Sequence, residues 1–283
     1  MCVQLLKKPA VEKFPHITWC LTGYLTFLPV HAAGLYSAKD QAKIFDYVVS
    51  SYTPTLAALR SARHPHNPGV RTPRLLAVSQ PETPHQTPLP GTVHEVDAIQ
   101  TIHYSTGRLP FTRLDGQAAT VTTVLQSMNE CNWVHLACHG IQNDANATDS
   151  AFLLFDGPLT LKEIMKQSFS HTELAVLSAC QTAKGDSKLP DEAIHLAAGM
   201  LMAGYRSVVG TMWSIRDDDA PIIAERFYTY LIEEAGGDST KAAYALHHAV
   251  GHLRDSSDGH DFARWVPFIH LGDCSTFEYS THA

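Results

Sequence analysis

The sequence predicts a single α/β domain in which helices cover both faces of a mostly parallel β-sheet. The first observation is an alternation. Beyond residue 73, short apolar segments of strand length are followed by amphipathic segments of about 10–15 residues. The second is that two of the apolar segments, 174–179 and 207–212, are nearly continuous, which is typical of strands buried on both faces of a parallel sheet. Because strand–helix–strand connections form right-handed crossovers, this alternation predicts neighbouring strands in one sheet.

Two regions precede the alternating part of the chain. Residues 1–60 contain two β-like segments, at 25–30 and 47–52, and are predicted to form a β-rich subregion. Residues 61–90 hold seven of the 16 prolines. They are predicted as a surface segment around one strand at 74–79, because proline cannot donate a ladder hydrogen bond.

Residues 91–272 form the predicted core of the domain. Its strands are expected at 109–114, 133–138, 151–155, 174–179, 207–212 and 266–271. Its helices are expected at 92–103, 117–129, 190–203, 217–234 and 239–254. A further helix is expected to begin at the capping box formed by Thr160 and Glu163.

Composition and charge restrict the class of protein. The chain has 283 residues, of which 45% are apolar and 17% are charged, a balance that favours a globular domain over a disordered chain. The formal net charge is −7, so no basic surface for a nucleic-acid backbone is expected. The six cysteines show no CxxC pair, which predicts free thiols in a reducing, cytoplasmic compartment. The start lacks a secretory signal pattern, and the most apolar early stretch, 17–30, is too short to span a bilayer.

Two predicted strands end in residues that can do chemistry together. His139 and Gly140 follow the strand at 133–138, and Cys180 follows the strand at 174–179. In open α/β sheets, functional residues gather beyond the carboxyl ends of the strands. If the strands are neighbours, an imidazole lies beside a thiol and can activate it as a nucleophile. The N–H groups of Gly140 and Cys180 would then be candidates for an oxyanion hole. On these residues alone, a buried cysteine that merely fills the core remains the alternative.

The 17 histidines also raise the alternative of a metal enzyme. His248 and His252 are spaced i, i+4 on a predicted helix, but no third ligand stands at a recognisable spacing. Cys138 and His139 are adjacent in a strand and point to opposite faces, so they are not expected to bind one ion. Cys138 is instead predicted as packed core. The sequence also lacks P-loop, GxGxxG and GxSxG motifs. No metal and no cofactor is therefore expected.

Four separate segments resemble the CHAT family, whose domains are relatives of caspases and separases among the clan CD cysteine peptidases. They stand in the family's order, and the chain is similar in particular to the CHAT domains of large fungal proteins. The segments are 135–140 (HLACHG), 177–183 (LSACQTA), 191–198 (DEAIHLAA) and 203–213 (AGYRSVVGTMW). The resemblance implies a caspase-like fold for almost the whole chain.

The resemblance also implies roles for individual residues. His139 matches the family's catalytic histidine and Cys180 matches its nucleophile, a dyad that requires no third, orienting carboxylate. At two positions where relatives carry an acid that holds a basic P1 side chain, this chain has Ser178 and Ser214. These departures favour an uncharged P1 side chain of modest size, with Trp213 as a candidate wall of the S1 pocket.

Asp217, the first of three consecutive acids, is a further substrate-binding candidate. The alternative is that these acids stabilise a helix N-terminus. Two functions stay open at this point. One is an endopeptidase that acts on protein substrates in a regulated defence or cell-death pathway, with a TPR or NLR-type sensor or activator as partner. The other is a catalytically silent interaction module of the same fold. Neither nucleic acid nor a membrane is expected as a partner.

Overall fold

The computed structural model describes residues 14–36, 42–62, 73–143, 146–167, 169, 171–180, 192–256 and 260–272. Within these residues the chain forms a ten-stranded sheet flanked by helices. The strands are β1 His16–Trp19, β2 Val49–Tyr52, β3 Leu75–Ser79, β4 Phe111–Asp115, β5 Trp133–Ile141, β6 Ala151–Leu153, β7 Pro158–Thr160, β8 Leu174–Cys180, β9 Ser207–Thr211 and β10 Phe268–Gly272. The helices are α1 Leu56–Ala62, α2 Gly91–Thr106, α3 Val121–Glu130, α4 Leu161–Lys166, α5 Glu192–Met202, α6 Asp219–Thr229, α7 Ala242–Asp255 and α8 Phe262–Trp265.

The main sheet has the strand order β1-β2-β10-β9-β8-β5-β3-β4. Its pairings are parallel except that between β10 and β9. The small antiparallel hairpin β6–β7 is attached to the end of β5. The predicted mixed α/β fold with a mostly parallel sheet is therefore confirmed. The central position of β5 and β8 follows from their sequences, because both are apolar on each face.

Two hydrophobic cores cover the two faces of this sheet. One contains Leu75 and Trp133 from the strands together with buried residues of α2, α6 and α7, and we call it the α2–α6–α7 face. The other contains Val134 and Leu136 together with buried residues of α3, α4 and α5. Successive residues of β5 thus alternate between the cores, as the pleat of a strand requires. Cys138 is completely buried in the second core, which confirms its predicted structural position.

The predicted strand at 25–30 is wrong. The chain forms two 3₁₀ helices there, Gly23–Phe27 and Val30–Ala32. Gly23 adopts a positive φ of 60°, and Pro29 has no N–H with which to join a ladder. The N–H of Leu28 bonds the carbonyl of Leu25 instead, and these local bonds close the turns. The subregion still contributes β1 and β2 to the edge of the sheet.

The proline-rich segment is described from residue 73 onward. Its strand lies where it was predicted, as β3. The loop that follows folds back on itself, because Leu89 donates from its N–H to the carbonyl of Pro81 at 2.8 Å. Leu89 is buried, and α2 begins two residues later. This loop therefore has a fixed path along the carboxyl edge of the sheet.

The elements that the sequence did not predict are short. These are the strands β1 and β7 and the helices α1 and α8, which have three to seven residues each. Such segments are too short to show a hydrophobic period. Among the residues that the structure describes, no helix has the length and apolarity needed to cross a membrane.

Candidate active site

The sheet register places His139 and Cys180 directly opposite each other. The strands β5 and β8 pair in parallel from Trp133 opposite Leu174 to His139 opposite Cys180, the last pair of the ladder. Neighbouring strands lie about 4.8 Å apart, and residues that are opposite in register share a face of the sheet. Positions 139 and 180 therefore belong to the α2–α6–α7 face. The backbone of Cys180 is described as the last residue of β8.

The imidazole of His139 is held by one of its two nitrogens. Its side chain is buried, with 1% of the residue exposed. Its Nε2 lies 2.7 Å from the carbonyl oxygen of Thr87, and because a carbonyl only accepts, this nitrogen carries the proton. Its Nδ1 has no hydrogen-bond partner among the described residues. Nδ1 is thus the ring nitrogen at the end of β5 that no described group engages, and an imidazole nitrogen without a partner is what a general base requires.

Sequence reasoning missed Thr87. It lies in the proline-rich loop after β3, 52 positions from His139. The interaction uses its backbone carbonyl, so no property of the threonine side chain signals it. Only the number of prolines indicated that this loop has a restricted path.

The backbone polar groups of Gly140 point toward β8. The N–H of Gln80 donates to the carbonyl of Ala137, which shows that the odd-numbered residues of β5 face β3. The N–H of Leu174 approaches the carbonyl of Asn132, so the even-numbered residues face β8. By this alternation, the N–H of Gly140 points toward β8, and the N–H of Cys180 points toward β5. In a regular parallel ladder each of these N–H groups donates to a carbonyl of the other strand. Both groups predicted as oxyanion donors thus lie at the carboxyl edge of the sheet, where the last rung of the ladder engages them.

The predicted substrate-binding residues lie at the same edge of the sheet. Ser178 is buried on β8, opposite Ala137 and two positions before Cys180. Trp213 and Ser214 follow the end of β9, the strand beside β8. Trp213 is 36% exposed, so it is not part of the buried core. The register brings these residues to neighbouring strand ends, as expected for a cleft along the carboxyl edge.

Asp217 makes a contact that the sequence did not predict. Its Oδ2 accepts a hydrogen bond of 2.7 Å from the N–H of Gly91, the first residue of α2. The carboxylate thus lies at the N-terminus of a helix 126 positions away. The helix that follows it in sequence, α6, begins instead after Asp218, whose side chain makes no cap hydrogen bond. This contact favours the helix-stabilising interpretation of Asp217, and its binding of substrate stays a prediction.

The third acid of the run is also engaged. Asp219 is 1% exposed, and its carboxylate accepts hydrogen bonds from the guanidinium of Arg264. Nearby, Arg216 forms an ion pair of 3.0 Å with Asp261. The acids that follow β9 are therefore tied to α2 on one side and to the region of α8 on the other.

The histidine pair considered as metal ligands lies elsewhere. His248 and His252 are both exposed on α7. Among the described residues, no group of three or more histidines, cysteines, aspartates or glutamates has the geometry to hold a metal ion. The described cysteines Cys20, Cys131 and Cys138 form no disulfide.

The fold and the register of His139 with Cys180 define an α/β protein of the caspase-like type. The CHAT domain family model matches residues 2–273, and the chain belongs to this family. A search of curated proteins gives no match.

Solved structures that resemble the fold include separase and gingipain, which are clan CD cysteine proteases. Separase from Saccharomyces cerevisiae, solved in complex with securin, has a TM-score of 0.55 and 17% identity. The Arg-specific cysteine proteinase gingipain R has a TM-score of 0.53 and 12% identity. A complex of the pro- and mature domains of Porphyromonas gingivalis RgpB gives a TM-score of 0.52 and 10% identity, covering 80% of this chain and 55% of that one.

The chain is covered to 88% in the separase match and to 81% in the gingipain match. It spans 14% of the separase chain and 54% of the gingipain chain. At these identities the likeness shows the fold alone.

Proposed function

We propose that this chain is a cysteine endopeptidase that cleaves protein substrates with the dyad Cys180 and His139. One observation carries the proposal: the two residues form the last in-register pair of β5 and β8, and the ring nitrogen left open on His139 is Nδ1. The caspase-like fold is consistent with it.

The proposed reaction begins with a proton transfer. The thiol of Cys180 gives its proton to Nδ1 of His139, and the carbonyl of Thr87 stabilises the imidazolium through the Nε2–H bond. The thiolate then attacks the carbonyl carbon of the scissile peptide and forms a tetrahedral oxyanion. His139 returns the proton to the leaving amine as the C–N bond breaks, which leaves a thioester on Cys180. Water, deprotonated by His139, hydrolyses the thioester and restores the thiol.

The oxyanion would be bound by the N–H groups of Gly140 and Cys180. Both groups point into the space between β5 and β8, and they become available when the last rung of the ladder opens. A productive substrate complex therefore requires a small separation of the two strand ends.

We propose an uncharged P1 side chain of modest size. Ser178 and Ser214 supply no negative charge at the positions considered for P1 recognition, and Trp213 offers an apolar wall. The carboxylate of Asp217 is directed at the N-terminus of α2, which leaves no other charge from this set for a basic P1 side chain.

The second candidate function is a catalytically silent interaction module. The observation that favours it is the closed last rung, in which both oxyanion donors face strand carbonyls. Under the peptidase proposal the same closure marks a resting state, and a sensor or activator of the TPR or NLR type would open it. A role in a defence or cell-death pathway belongs to this proposal as well.

A thiol-directed peptide probe separates the two functions, and exposed Cys20 is the internal control for ordinary thiol reactivity. Because only a few per cent of an ordinary thiol is ionised at pH 7, we expect Cys180 to react at least about tenfold faster than Cys20. The variant His139→Ala should abolish this difference and leave Cys20 unchanged. Peptide mapping by mass spectrometry measures both labelling rates. Cleavage of a diverse peptide library, with Cys180→Ala as the inactive control, identifies the preferred P1 residue. Equal rates at both cysteines, insensitive to His139→Ala, would overturn the peptidase proposal.

A further inference from the structure

The loop after β9 and the start of α2 are in unusually close contact. The Oδ2 of Asp217 accepts the N–H of Gly91 at 2.7 Å. A Cβ atom at position 91 would lie 2.6 Å from the Cγ, the Oδ1 and the backbone oxygen of Asp217. The approach is possible because residue 91 is glycine. The carboxylate also lies where the partial positive charge of a 16-residue helix is concentrated, which strengthens the hydrogen bond.

The start of α2 is connected rigidly to the residue that holds His139. Thr92 bonds the carbonyl of Leu89 through both its N–H, at 3.2 Å, and its hydroxyl, at 2.7 Å. Leu89 is buried and is itself bonded to Pro81. Two residues before Leu89, the carbonyl of Thr87 accepts the Nε2–H of His139. A displacement of the helix N-terminus therefore moves this carbonyl.

The other end of the contact is fixed as well. The N–H of Met212 donates to the carbonyl of Pro267 at 2.8 Å. The ion pairs of Arg216 with Asp261 and of Arg264 with Asp219 bind the rest of the loop to the same region. Asp217 thus extends from an anchored loop toward α2.

We propose that Asp217 is a positioning residue for His139. Its carboxylate holds the N-terminus of α2, and through the turn at 87–92 it holds the carbonyl of Thr87. That carbonyl keeps the proton of His139 on Nε2 and leaves Nδ1 free to accept one. The catalytic consequence rests on the proposed peptidase function, whereas the effect on the tautomer of His139 does not.

Three variants test the proposal. Asp217→Ala removes the acceptor for Gly91, and Asp217→Asn keeps an acceptor oxygen while it removes the charge. The control Asp218→Asn removes the same charge one position away, at an exposed side chain without a cap hydrogen bond. A displacement of the order of 1 Å at a catalytic group can cost about a hundredfold in rate. We therefore expect Asp217→Ala to lower the alkylation rate of Cys180 by roughly tenfold or more. Asp217→Asn should stay within about threefold of the native rate, because the hydrogen bond survives.

The ring nitrogens of ¹⁵N-labelled histidine report the tautomer directly, with the His139 signals assigned by their loss in His139→Gln. In the native protein we expect a protonated Nε2 and an unprotonated Nδ1. In Asp217→Ala the two shifts should converge as the tautomers mix, whereas Asp217→Asn and Asp218→Asn should keep the native pattern. If Asp217→Ala lowers only the melting temperature and leaves both the tautomer and the alkylation rate unchanged, the positioning role is wrong.

The two proposals fail in different ways. A native protein whose Cys180 reacts no faster than Cys20 refutes the peptidase, and the tautomer measurement still decides the role of Asp217. An equal loss of activity in Asp217→Asn and Asp217→Ala, with a native tautomer in both, would instead assign the charge to substrate binding and overturn the positioning role.

Discussion

His139 and His270 are both 1% exposed, yet their surroundings give them opposite properties. The ring of His270 is bonded at both ends: its Nδ1 lies 2.6 Å from the hydroxyl of Ser51, and its Nε2 lies 2.7 Å from the hydroxyl of Ser207. The ring of His139 is bonded at one end, through Thr87. A histidine with both nitrogens paired contributes to stability, and one with a single nitrogen paired is oriented but still able to accept a proton.

In the region around His270, several histidines have a structural role. The strands β2 and β10 pair only through Leu271 and Tyr52, and histidines lie where the strands diverge. His31 bonds the hydroxyl of Tyr52 through Nδ1 and the carbonyl of Val266 through Nε2. Here the polar rings bridge elements that ladder hydrogen bonds do not join. The comparison shows that a high histidine count, by itself, indicates neither a metal site nor catalysis.

The largest effect expected in this comparison is on stability. His270→Ala leaves the hydroxyls of Ser51 and Ser207 buried with fewer partners and creates a cavity, so we expect a loss of roughly 3–4 kcal/mol in the free energy of unfolding. His139→Ala also empties a buried site, but it removes one hydrogen bond where His270→Ala removes two, so we expect a smaller loss of roughly 2 kcal/mol. Urea unfolding followed by circular dichroism measures both.

The labelling of Cys180 in the same two variants tests the chemical side of the comparison. In conditions where it remains folded, His270→Ala should retain the selective labelling of Cys180, which His139→Ala loses. Equal destabilisation by the two substitutions would contradict the distinction drawn here between a structural and a chemically open histidine.

A decrease in pH is expected to have an intermediate effect on the stability of the fold. Burial lowers the pKa of His31 and His247 to about 4 and that of His270 to about 3, and the three side chains line one cavity. Below their ordinary pKa of 6.5 the unfolded chain binds protons that the folded chain does not, so stability is complete above pH 6.5 and falls as the pH decreases toward 4.

Each fully shifted histidine costs about 1.4 kcal/mol at one pH unit below 6.5. Because two of the three side chains are partly exposed, we expect a loss of roughly 2–3 kcal/mol between pH 7 and pH 5.5. Thermal unfolding across this range measures it. A melting temperature that stays constant down to pH 5 would contradict the assignment of these rings as buried, neutral groups.

The smallest effect is expected at an exposed histidine. His252→Ala on the surface of α7 should change the free energy of unfolding by less than about 0.5 kcal/mol and should leave the labelling of Cys180 unchanged. The same variant should keep the acid sensitivity of the native protein, because the three buried histidines His31, His247 and His270 are unchanged. A marked loss of stability in His252→Ala would show that the exposed histidines have a structural role as well.

The sequence predicted most of the core because period and burial are local properties. The strands β3, β5, β8 and β9 appear as apolar runs with defined ends, and the capping box of Thr160 and Glu163 opens α4 as expected. At 25–30 the same reasoning failed, because an apolar composition does not distinguish a strand from consecutive 3₁₀ turns. The candidate dyad could be named because each member follows an apolar run.

By itself, the sequence determined the fold class, the two strand ends that carry the imidazole and the thiol, and the absence of a usual nucleotide or serine-hydrolase motif. The tertiary structure decided which ring nitrogen of His139 is held and which acid supports α2. The carbonyl of Thr87 and the N–H of Gly91 belong to the backbone, which every residue has, so side-chain identity gives no signal of their use. Their partners lie 52 and 126 positions away, and only the folded chain brings such groups within hydrogen-bonding distance.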